Sequence, residues 1–348
     1  MIAVPALFAM VLSIYILAVV TDRFFIPSLD RISDRWRLPP NVAGASLMAM
    51  GSSAPELAIA LIALFKEGGA HSDVGIGTIV GSAVFNILVI TGVSAIFKEA
   101  RIALPAIIRD TVFYMTSIIL LLFVFWDGRV FLKEAVIFVV WYILYLIFLF
   151  LMPTVDPEME AEAPRPKPES GPSFFRRATQ AVGKGIGLLA GDVERSHGRA
   201  FIVSILLIAG LSWVLVDSAV AFAESVGIPP VIVALTLLAA GTSAPDLISS
   251  VLVARQGRGS MAVANAIGSN IFDILVGLGI PWLVALLCLG RPAIVVGTDS
   301  LILSTVILMG TVIILFAFLY TDRLLTRKEG WALVGLYAAY VVWTVAAG

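Results

Sequence analysis

The sequence contains one short motif twice, and this duplication constrains the possible folds more than any other feature. Residues 51–56 read Gly-Ser-Ser-Ala-Pro-Glu, and residues 241–246 read Gly-Thr-Ser-Ala-Pro-Asp. A second block follows each copy: Gly-Ser-Ala-Val-Phe-Asn-Ile-Leu at 81–88 returns as Gly-Ser-Asn-Ile-Phe-Asp-Ile-Leu at 268–275. Two blocks that recur in the same order indicate that the chain is a duplicated protein.

The composition indicates that the surroundings of this chain are a lipid bilayer. Hydrophobic residues make up 60% of the 348 residues and charged residues only 14%, whereas a soluble domain carries about 25% charged residues. Apolar runs near the length of a membrane-spanning helix recur throughout. The net charge of −1 offers no basic surface for nucleic acid, and the single cysteine, Cys288, excludes an internal disulfide and a thiolate metal cluster. We expect a multi-pass membrane protein with no nucleic-acid partner and no evident obligatory protein partner.

The apolar runs predict ten transmembrane helices, five in each half. The predicted spans lie at about 2–20, 42–65, 74–97, 104–125, 130–152, 200–223, 231–254, 261–289, 293–318 and 331–347. The fold class is therefore all-α, with two five-helix repeats at 1–152 and 200–348. The repeated blocks cover about 39–97 and 229–289, and each begins at a proline pair. The proline-rich segment 153–199 predicts a linker, in which 174–193 forms either a surface helix or a partly ordered stretch.

Because each repeat has an odd number of spans, the second repeat starts on the opposite side of the membrane from the first and has the inverted topology. The basic residues test this arrangement, because loops on the cytoplasmic side carry an excess of lysine and arginine. Of the 23 lysines and arginines, only Lys66, Arg129, Lys133 and Arg291 fall on one side of the predicted membrane. We therefore expect a protein of the cell membrane with both termini on the extracellular side and the 153–199 linker in the cytoplasm. Inverted repeats of this kind are common in secondary transporters, which bind substrate between the repeats near the midplane.

Three acidic residues lie away from the ends of the predicted spans and without a lysine or arginine nearby in sequence: Glu56, Asp246 and Asp273. A carboxylate at this depth costs several kcal/mol unless a partner offsets its charge, so such residues are functional candidates. The missing partner must be a proton or a bound cation. We interpret the three acids as the charged part of a cation-binding site.

Other oxygen-bearing side chains fall on the same helix faces, three or four residues from these acids or from each other. They are Ser52, Ser53, Ser82, Asn86, Thr242, Ser243 and Ser269. Pro55 and Pro245 each remove a helical hydrogen bond, and broken backbone at membrane depth persists only where it is buried in protein or lines a cavity. For any single hydroxyl, helix packing is the commoner role. Together, the oxygen-only set favours a hard cation such as Ca²⁺ over copper or zinc.

These motifs resemble the two alpha repeats of the cation/calcium exchanger superfamily, and within it the potassium-dependent sodium/calcium exchangers. The similar stretches are the runs at 73–87, 253–257 and 269–274, together with the sequence Asp-Arg-Phe-Phe-Ile-Pro-Ser-Leu at 22–29. The resemblance covers both repeats and the loops that lead into them. It implies an alternating-access antiporter that exchanges Na⁺ for Ca²⁺, with no cofactor. A large cytoplasmic insertion found in many animal members is absent from this sequence, so regulation by a calcium-binding loop domain is not expected.

The resemblance also implies roles for individual positions. Glu56 and Asp246 correspond to the central Ca²⁺ carboxylates, which Na⁺ uses in alternation. The serine, threonine and asparagine oxygens named above complete the sites, and the carbonyl groups of Ala49 and Ala239 line flanking Na⁺ sites. Asp273 stands at the position associated with potassium dependence, although an acid also occurs there in exchangers that do not need potassium.

Three classes of function remain to be compared at this point. The first is a Na⁺/Ca²⁺ exchanger, with or without K⁺ carried alongside Ca²⁺. The second is a Ca²⁺/H⁺ antiporter in which protons replace Na⁺ on the acids, but the repeated motif matches the sodium-driven pattern. The third is an intramembrane aspartyl protease, which requires a Gly-x-Gly-Asp motif that neither repeated acid carries. We therefore predict a transporter rather than an enzyme, namely a Na⁺/Ca²⁺ exchanger that carries K⁺ with Ca²⁺; the alternatives are an exchanger without K⁺ and a Ca²⁺/H⁺ antiporter.

Overall fold

A computed structural model of the protein describes residues 2–36, 49–69, 71–101, 104–151, 173–255, 259–288, 290–296 and 299–347. The helices of the first half are α1 (Ala3–Val20), α2 (Ile26–Trp36), α3 (Ala49–Ser52), α4 (Ala54–Phe65), α5 (Ser72–Phe85), α6 (Thr91–Phe97), α7 (Leu104–Asp127) and α8 (Leu132–Leu151). Those that follow are α9 (Ser173–Ala190), α10 (Val193–Val226), α11 (Pro230–Val233), α12 (Ala239–Thr242), α13 (Ala244–Arg255), α14 (Gly259–Phe272), α15 (Gly279–Cys288), α16 (Asp299–Asp322) and α17 (Arg327–Ala347). The described chain is thus almost entirely helical, as predicted.

Four helix junctions are π-helical turns, in which the backbone hydrogen bonds span one more residue than in an α-helix. They are Thr21–Phe25, Asn86–Ile90, Ala234–Leu238 and Asp273–Leu278. Turns of this type are frequent at functional sites. Two of the four begin at the predicted ligands Asn86 and Asp273, which occupy equivalent positions in the two copies of the second block.

Eight helical segments are long and apolar enough to cross a membrane by length and composition. They cover Ala3–Ile32, Ser72–Phe97, Ile108–Asp127, Leu132–Leu149, Val193–Val226, Ala262–Cys288, Asp299–Tyr320 and Arg327–Ala346. The two other predicted spans, 42–65 and 231–254, are those that carry the repeated motif, and both are broken within it. The start of the first of these, with the prolines at 39–40, lies outside the described residues. The helical membrane fold is confirmed, and the count of ten spans stays a prediction.

The structure differs from the prediction at three span boundaries. The first predicted span ends at residue 20 and the next begins at about 42, but the chain between them continues as a helix through the π turn and α2 to Trp36. The helix that opens the second half begins at Val193, ahead of the predicted start at 200, but a kink at Ser196 (φ −136°, ψ 44°) separates its first residues from the long helix. The helix predicted to start near 293 begins at Asp299, because Ile294 and Val295 pair as a strand instead.

Two short antiparallel strand pairs connect the ends of the two repeats. Strand β1 (Ala100–Arg101) pairs with β4 (Leu324–Leu325), and β2 (Arg129–Val130) pairs with β3 (Ile294–Val295). If each half crosses the membrane five times, β1 and β4 lie on the same side of the membrane. Strands β2 and β3 then both lie on the opposite side. The strand pairing therefore agrees with inverted repeats.

The helices pack as a large bundle beside a helix pair. One apolar cluster joins residues of α5, α7 and α8 to residues of α14, α15 and α16, so it unites both halves. The second cluster joins α1 to α10, and α1 has its most extensive contacts with that helix. Helix α9, which lies in the predicted linker, packs against α1 and α10. Tyr15 Oη of α1 lies 2.7 Å from Thr179 Oγ1 of α9. Large apolar side chains such as Trp126, 91% exposed, face outward, as the surface of a protein in a lipid bilayer requires.

Candidate cation-binding site

The repeated motif breaks two helices at equivalent residues. Ser53 separates α3 from α4 with φ −92° and ψ 9°, and Ser243 separates α12 from α13 with φ −84° and ψ −2°. In each copy the proline two residues later has no N–H to donate. The regular helical hydrogen bonds resume at the carbonyl of each serine. Leu57 N donates to the Ser53 carbonyl at 3.0 Å, and Leu247 N donates to the Ser243 carbonyl at 3.0 Å. The sequence predicted these breaks from the prolines.

Each break starts a new helix directly before an acid. Glu56 lies in the first turn of α4, and Asp246 lies in the first turn of α13. Unpaired N–H groups give the start of a helix a partial positive charge, which favours a negative side chain there. The interruption therefore offsets part of the cost of placing these carboxylates inside the protein.

Polar contacts in the site run from one repeat to the other. The hydroxyls of Ser82 and Ser243 share a hydrogen bond of 2.6 Å. The Thr242 side chain lies within hydrogen-bonding reach of the Glu56 carboxylate, and that of Ser53 within reach of Asp273. The structure thus brings predicted ligands of both halves to one place between the repeats.

A fourth contact between the repeats involves two residues that the sequence analysis missed. Asn270 accepts a hydrogen bond from Asn86 Nδ2 at 2.8 Å through its side-chain oxygen. Its own Nδ2 donates to Tyr114 Oη at 2.9 Å and to the Ala83 carbonyl at 3.1 Å. Asn270 and Tyr114 are both fully buried. The signal that could have identified Asn270 is its position in the repeated block, where the first copy has Ala83.

The site contains buried oxygens without hydrogen-bond partners. Glu56 is 3% exposed, Asp273 2% and Asn86 1%, yet Glu56 Oε2, Asp273 Oδ1 and Asn86 Oδ1 find no partner among the described residues. The Glu56 carboxylate also acts electrostatically on both Asp246 and Asp273. Buried polar atoms are normally satisfied, and buried like charges repel each other. A bound cation would satisfy the oxygens and remove the repulsion.

Asp246 occupies a more accessible place than the other two acids. It is half-buried and lines a cavity of about 350 Å³, part of which is open to the surroundings. Ser52, Pro55 and Thr242 line the same cavity, and residues of α1 close its other side. The cavity thus places Asp246 and its neighbouring hydroxyls against α1, on a side that is partly open.

The remaining predicted ligands have contacts within their own helices. Ser269 Oγ donates to the Ala266 carbonyl at 3.2 Å. Thr242 Oγ1 also lies 3.1 Å from the Leu238 carbonyl, which competes with Glu56 for its single proton. The carbonyl of Ala239 accepts from Ser243 N at 3.2 Å, and Ala49 belongs to α3. Ion-binding roles for these residues stay predictions.

Carboxylates alone do not complete a metal site. Within the described part of the chain, no three His, Cys, Asp or Glu side chains lie close enough together to hold a metal ion. Hydroxyl, amide and carbonyl oxygens would have to supply the rest of the coordination. Such neutral oxygens suit Ca²⁺, which takes about six to eight oxygen ligands in flexible geometry.

Comparison with known proteins supports this interpretation. The sequence profile of the family described as sodium/calcium exchanger protein matches residues 6–151 and 199–346. Human sodium/potassium/calcium exchanger 4 is 28% identical over 95% of this chain and 79% of its own length. Rat sodium/potassium/calcium exchanger 3 is 25% identical over 95% of this chain and 81% of its own length. The resemblance noted in the sequence therefore extends over nearly the whole chain.

Solved structures share the fold at low sequence identity. The sodium-calcium exchanger NCX_Mj, soaked with Na⁺ and Sr²⁺, superposes with a TM-score of 0.59 at 21% identity and covers 98% of both chains. The H⁺/Ca²⁺ exchanger CAX superposes with a TM-score of 0.67 at 16% identity and covers 98% of this chain and 81% of its own. These likenesses confirm the exchanger-like helical membrane fold, whereas the count of ten spans stays a prediction.

Proposed function

Because the chain belongs to the sodium/calcium exchanger protein family, we propose that it exchanges Na⁺ for Ca²⁺ across a membrane by alternating access. The observation that carries the proposal is the group of buried, unpartnered oxygens on Glu56, Asp273 and Asn86, which come from both repeats. An oxygen site with uncompensated negative charge binds hard cations. The ions are transported substrates, and the protein needs no cofactor for this activity.

Competition for one carboxylate cluster explains obligatory exchange. Ca²⁺ and Na⁺ both require Glu56 and Asp246, so one kind of ion leaves before the other is bound. An empty site would expose uncompensated acids to a low-dielectric interior, which makes a conformational change without ions costly. The α1–α10 pair is the proposed moving element, because it packs as a unit beside the bundle and α1 closes the cavity at Asp246.

We propose that K⁺ accompanies Ca²⁺ and that Asp273 is the residue responsible. Two carboxylates balance one divalent cation, and the third provides charge for a monovalent cation. The Ser53 side chain reaches Asp273 from the other repeat. Relatives named sodium/potassium/calcium exchangers support this assignment.

The basic residues support a cell-membrane orientation with both termini outside. In this arrangement α9 and the rest of the 153–199 linker lie in or at the cytoplasm, and the protein exports Ca²⁺ as Na⁺ enters.

Ca²⁺ uptake into proteoliposomes tests the proposal. Vesicles loaded with Na⁺ and diluted into Na⁺-free medium with Ca²⁺ should accumulate Ca²⁺, and external K⁺ should be required. Uptake that is indifferent to K⁺ would retain Na⁺/Ca²⁺ exchange and remove the K⁺ role of Asp273. Uptake driven by an outward proton gradient but not by Na⁺ would replace the proposal with Ca²⁺/H⁺ antiport.

A further inference from the structure

The cavity that reaches Asp246 has two polar lining residues to which no ion-binding role has been assigned. Thr21 and Asp22 belong to the π turn Thr21–Phe25 between α1 and α2, and both line the cavity with Ser52, Thr242 and Asp246. The other residues that α1 and α2 contribute to the lining are apolar, such as Ile14, Leu17 and Ile26. Thr21 and Asp22 are therefore the positions at which this wall of the cavity can offer side-chain oxygen to an ion.

Asp22 provides the negative charge of this wall. Its side chain is exposed, whereas Asp246 across the cavity is half-buried. Asp22 also acts electrostatically on Asp246. A cation that approaches Asp246 through the cavity therefore meets the Asp22 carboxylate at a more accessible point.

Thr21 provides an oxygen that the protein itself leaves unused. The residue is 4% exposed, and its Oγ1 has no hydrogen-bond partner among the described residues. A threonine in a helix normally donates to the carbonyl four residues earlier, as Thr242 does to Leu238. An unpartnered hydroxyl on the wall of a cavity beside an acid can serve an ion or its bound water.

The adjacent arginine does not occupy this cavity. Arg23 is exposed and is not among the residues that line it. Its guanidinium lies against α9, where a Cβ added at Gly183 would stand 2.9 Å from Arg23 Nη1. The side chain of Arg23 thus extends toward the linker helix. Its positive charge acts electrostatically on the Asp22 carboxylate, but only Asp22 lines the cavity.

We propose that Thr21 and Asp22 form an entrance site that holds a partly hydrated Ca²⁺ before it reaches Glu56 and Asp246. This inference rests on the proposed exchange function. In the proposed orientation the α1–α2 junction lies at the cytoplasmic end of α1, so the site would act on ions that arrive from that side. A negative wall near a narrow path raises the local cation concentration and speeds association.

The test compares the KM for Ca²⁺ of Na⁺/Ca²⁺ exchange between the Asp22→Asn variant and the wild type. It is measured in everted and in right-side-out membrane vesicles, so that Ca²⁺ is supplied from either side. We expect the KM for Ca²⁺ to rise about three- to tenfold when Ca²⁺ is supplied from one side, because electrostatic attraction to the entrance is lost. When Ca²⁺ is supplied from the other side, the KM of the variant for Ca²⁺ should equal that of the wild type. The difference between variant and wild type should shrink at high ionic strength, where the field is screened.

Three further variants separate the entrance role from a structural one. Glu99→Gln neutralises an exposed acid that does not line the cavity and should behave as wild type. Asp22→Glu keeps the charge and should restore the low KM, and Thr21→Val, which removes only the hydroxyl, should raise the KM about twofold. An Asp22→Asn protein with the wild-type KM from both sides, or an equal increase from both sides, would overturn the inference. A wild type without Na⁺-dependent Ca²⁺ uptake would instead overturn the proposed exchange function.

Discussion

At the scale of single residues, the site depends on carboxylates that the fold leaves without compensating charge. Glu56 illustrates this, because one of its oxygens reaches Thr242 and the other has no partner among the described residues. Burial of a charged group in this state costs free energy. In the proposed function a bound cation offsets this cost, which would explain why an acid stands at this position.

Glu56→Gln should abolish Ca²⁺ transport without loss of folding. The amide keeps the size of the side chain but removes a charge that the cation needs, and loss of one partner of a buried ion pair costs about 3–5 kcal/mol. Transport should therefore fall at least about 100-fold at unchanged Ca²⁺, at 1.4 kcal/mol for each factor of ten. Ca²⁺ flux into proteoliposomes and size-exclusion profiles of the purified variant provide the measurements.

Glu134→Gln is the matched control for this variant. Glu134 is 6% exposed, lies in the first turn of α8 and accepts a hydrogen bond from Phe131 N at 2.7 Å through Oε2; it does not line the cavity at Asp246. The amide oxygen of glutamine can accept the same bond, so transport should persist. Wild-type flux in Glu56→Gln, or equal loss in both variants, would contradict the assigned role of Glu56.

Asn270→Ala should weaken both the fold and the site. The substitution leaves Asn86 Nδ2, Tyr114 Oη and the Ala83 carbonyl without their Asn270 contacts, and an unsatisfied buried group costs about 1–3 kcal/mol. We expect a lower thermal unfolding temperature together with a higher KM for Ca²⁺, because Asn86 is no longer held. Tyr114→Phe removes one contact and should show a smaller change in both measurements. Unchanged stability in Asn270→Ala would show that the network does not support the site.

At the scale of helices and turns, equivalent residues of the two repeats have different packing environments. Gly81 and Gly268 open the two copies of the second block. A Cβ at Gly81 would stand 2.7 Å from Ala239 Cβ and would also collide with the Leu235 carbonyl. At Gly268 a Cβ would meet no atom within 4 Å. Helix α5 therefore approaches the second repeat closely, and the equivalent glycine of α14 has open space.

Gly81→Ala and Gly268→Ala should thus have opposite effects on stability. Alanine at 81 forces α5 away from the π turn Ala234–Leu238, and overpacking of this kind costs about 1–3 kcal/mol. Alanine at 268 should be neutral or stabilising by up to about 1 kcal/mol, because glycine is a weak helix former. Thermal unfolding of the purified variants in detergent measures both effects, and equal destabilisation would contradict the packing difference.

The helix interruptions show which local features sequence could predict. The breaks at Ser53 and Ser243 follow from Pro55 and Pro245, whose missing N–H groups act within a few residues. The π turns at Asn86 and Asp273 have no comparable local cause. They place an amide and a carboxylate against the opposite repeat, so packing between distant segments selects them.

At the scale of the whole molecule, the connections and strand pairs define two faces of the membrane protein. Residue Glu99 lies next to β1, and Asp127 lies next to β2 on the other face. Both side chains are exposed. With the basic residues concentrated on the face of Glu99, that face is expected in the cytoplasm.

Cysteine accessibility should therefore distinguish the two faces. In a Cys288→Ala background, Asp127→Cys should react with a membrane-impermeant thiol reagent added to intact cells. Glu99→Cys should react only after permeabilisation. The reverse pattern would invert the assigned orientation, and reaction of both in intact cells would contradict the alternating topology.

The sequence by itself determined the class of the protein, its duplication and the chemistry of its ligands. These properties depend on composition, spacing and residue type, and Glu56, Asp246 and Asp273 stand out because an acid in an apolar span is costly wherever the helix packs. The tertiary structure alone decided which groups meet. Contacts such as Ser82 with Ser243, and Asn86 with Asn270, join residues more than 150 positions apart. Their pairing depends on how two inverted repeats dock, and that docking is set by the summed packing of many helices rather than by any local pattern.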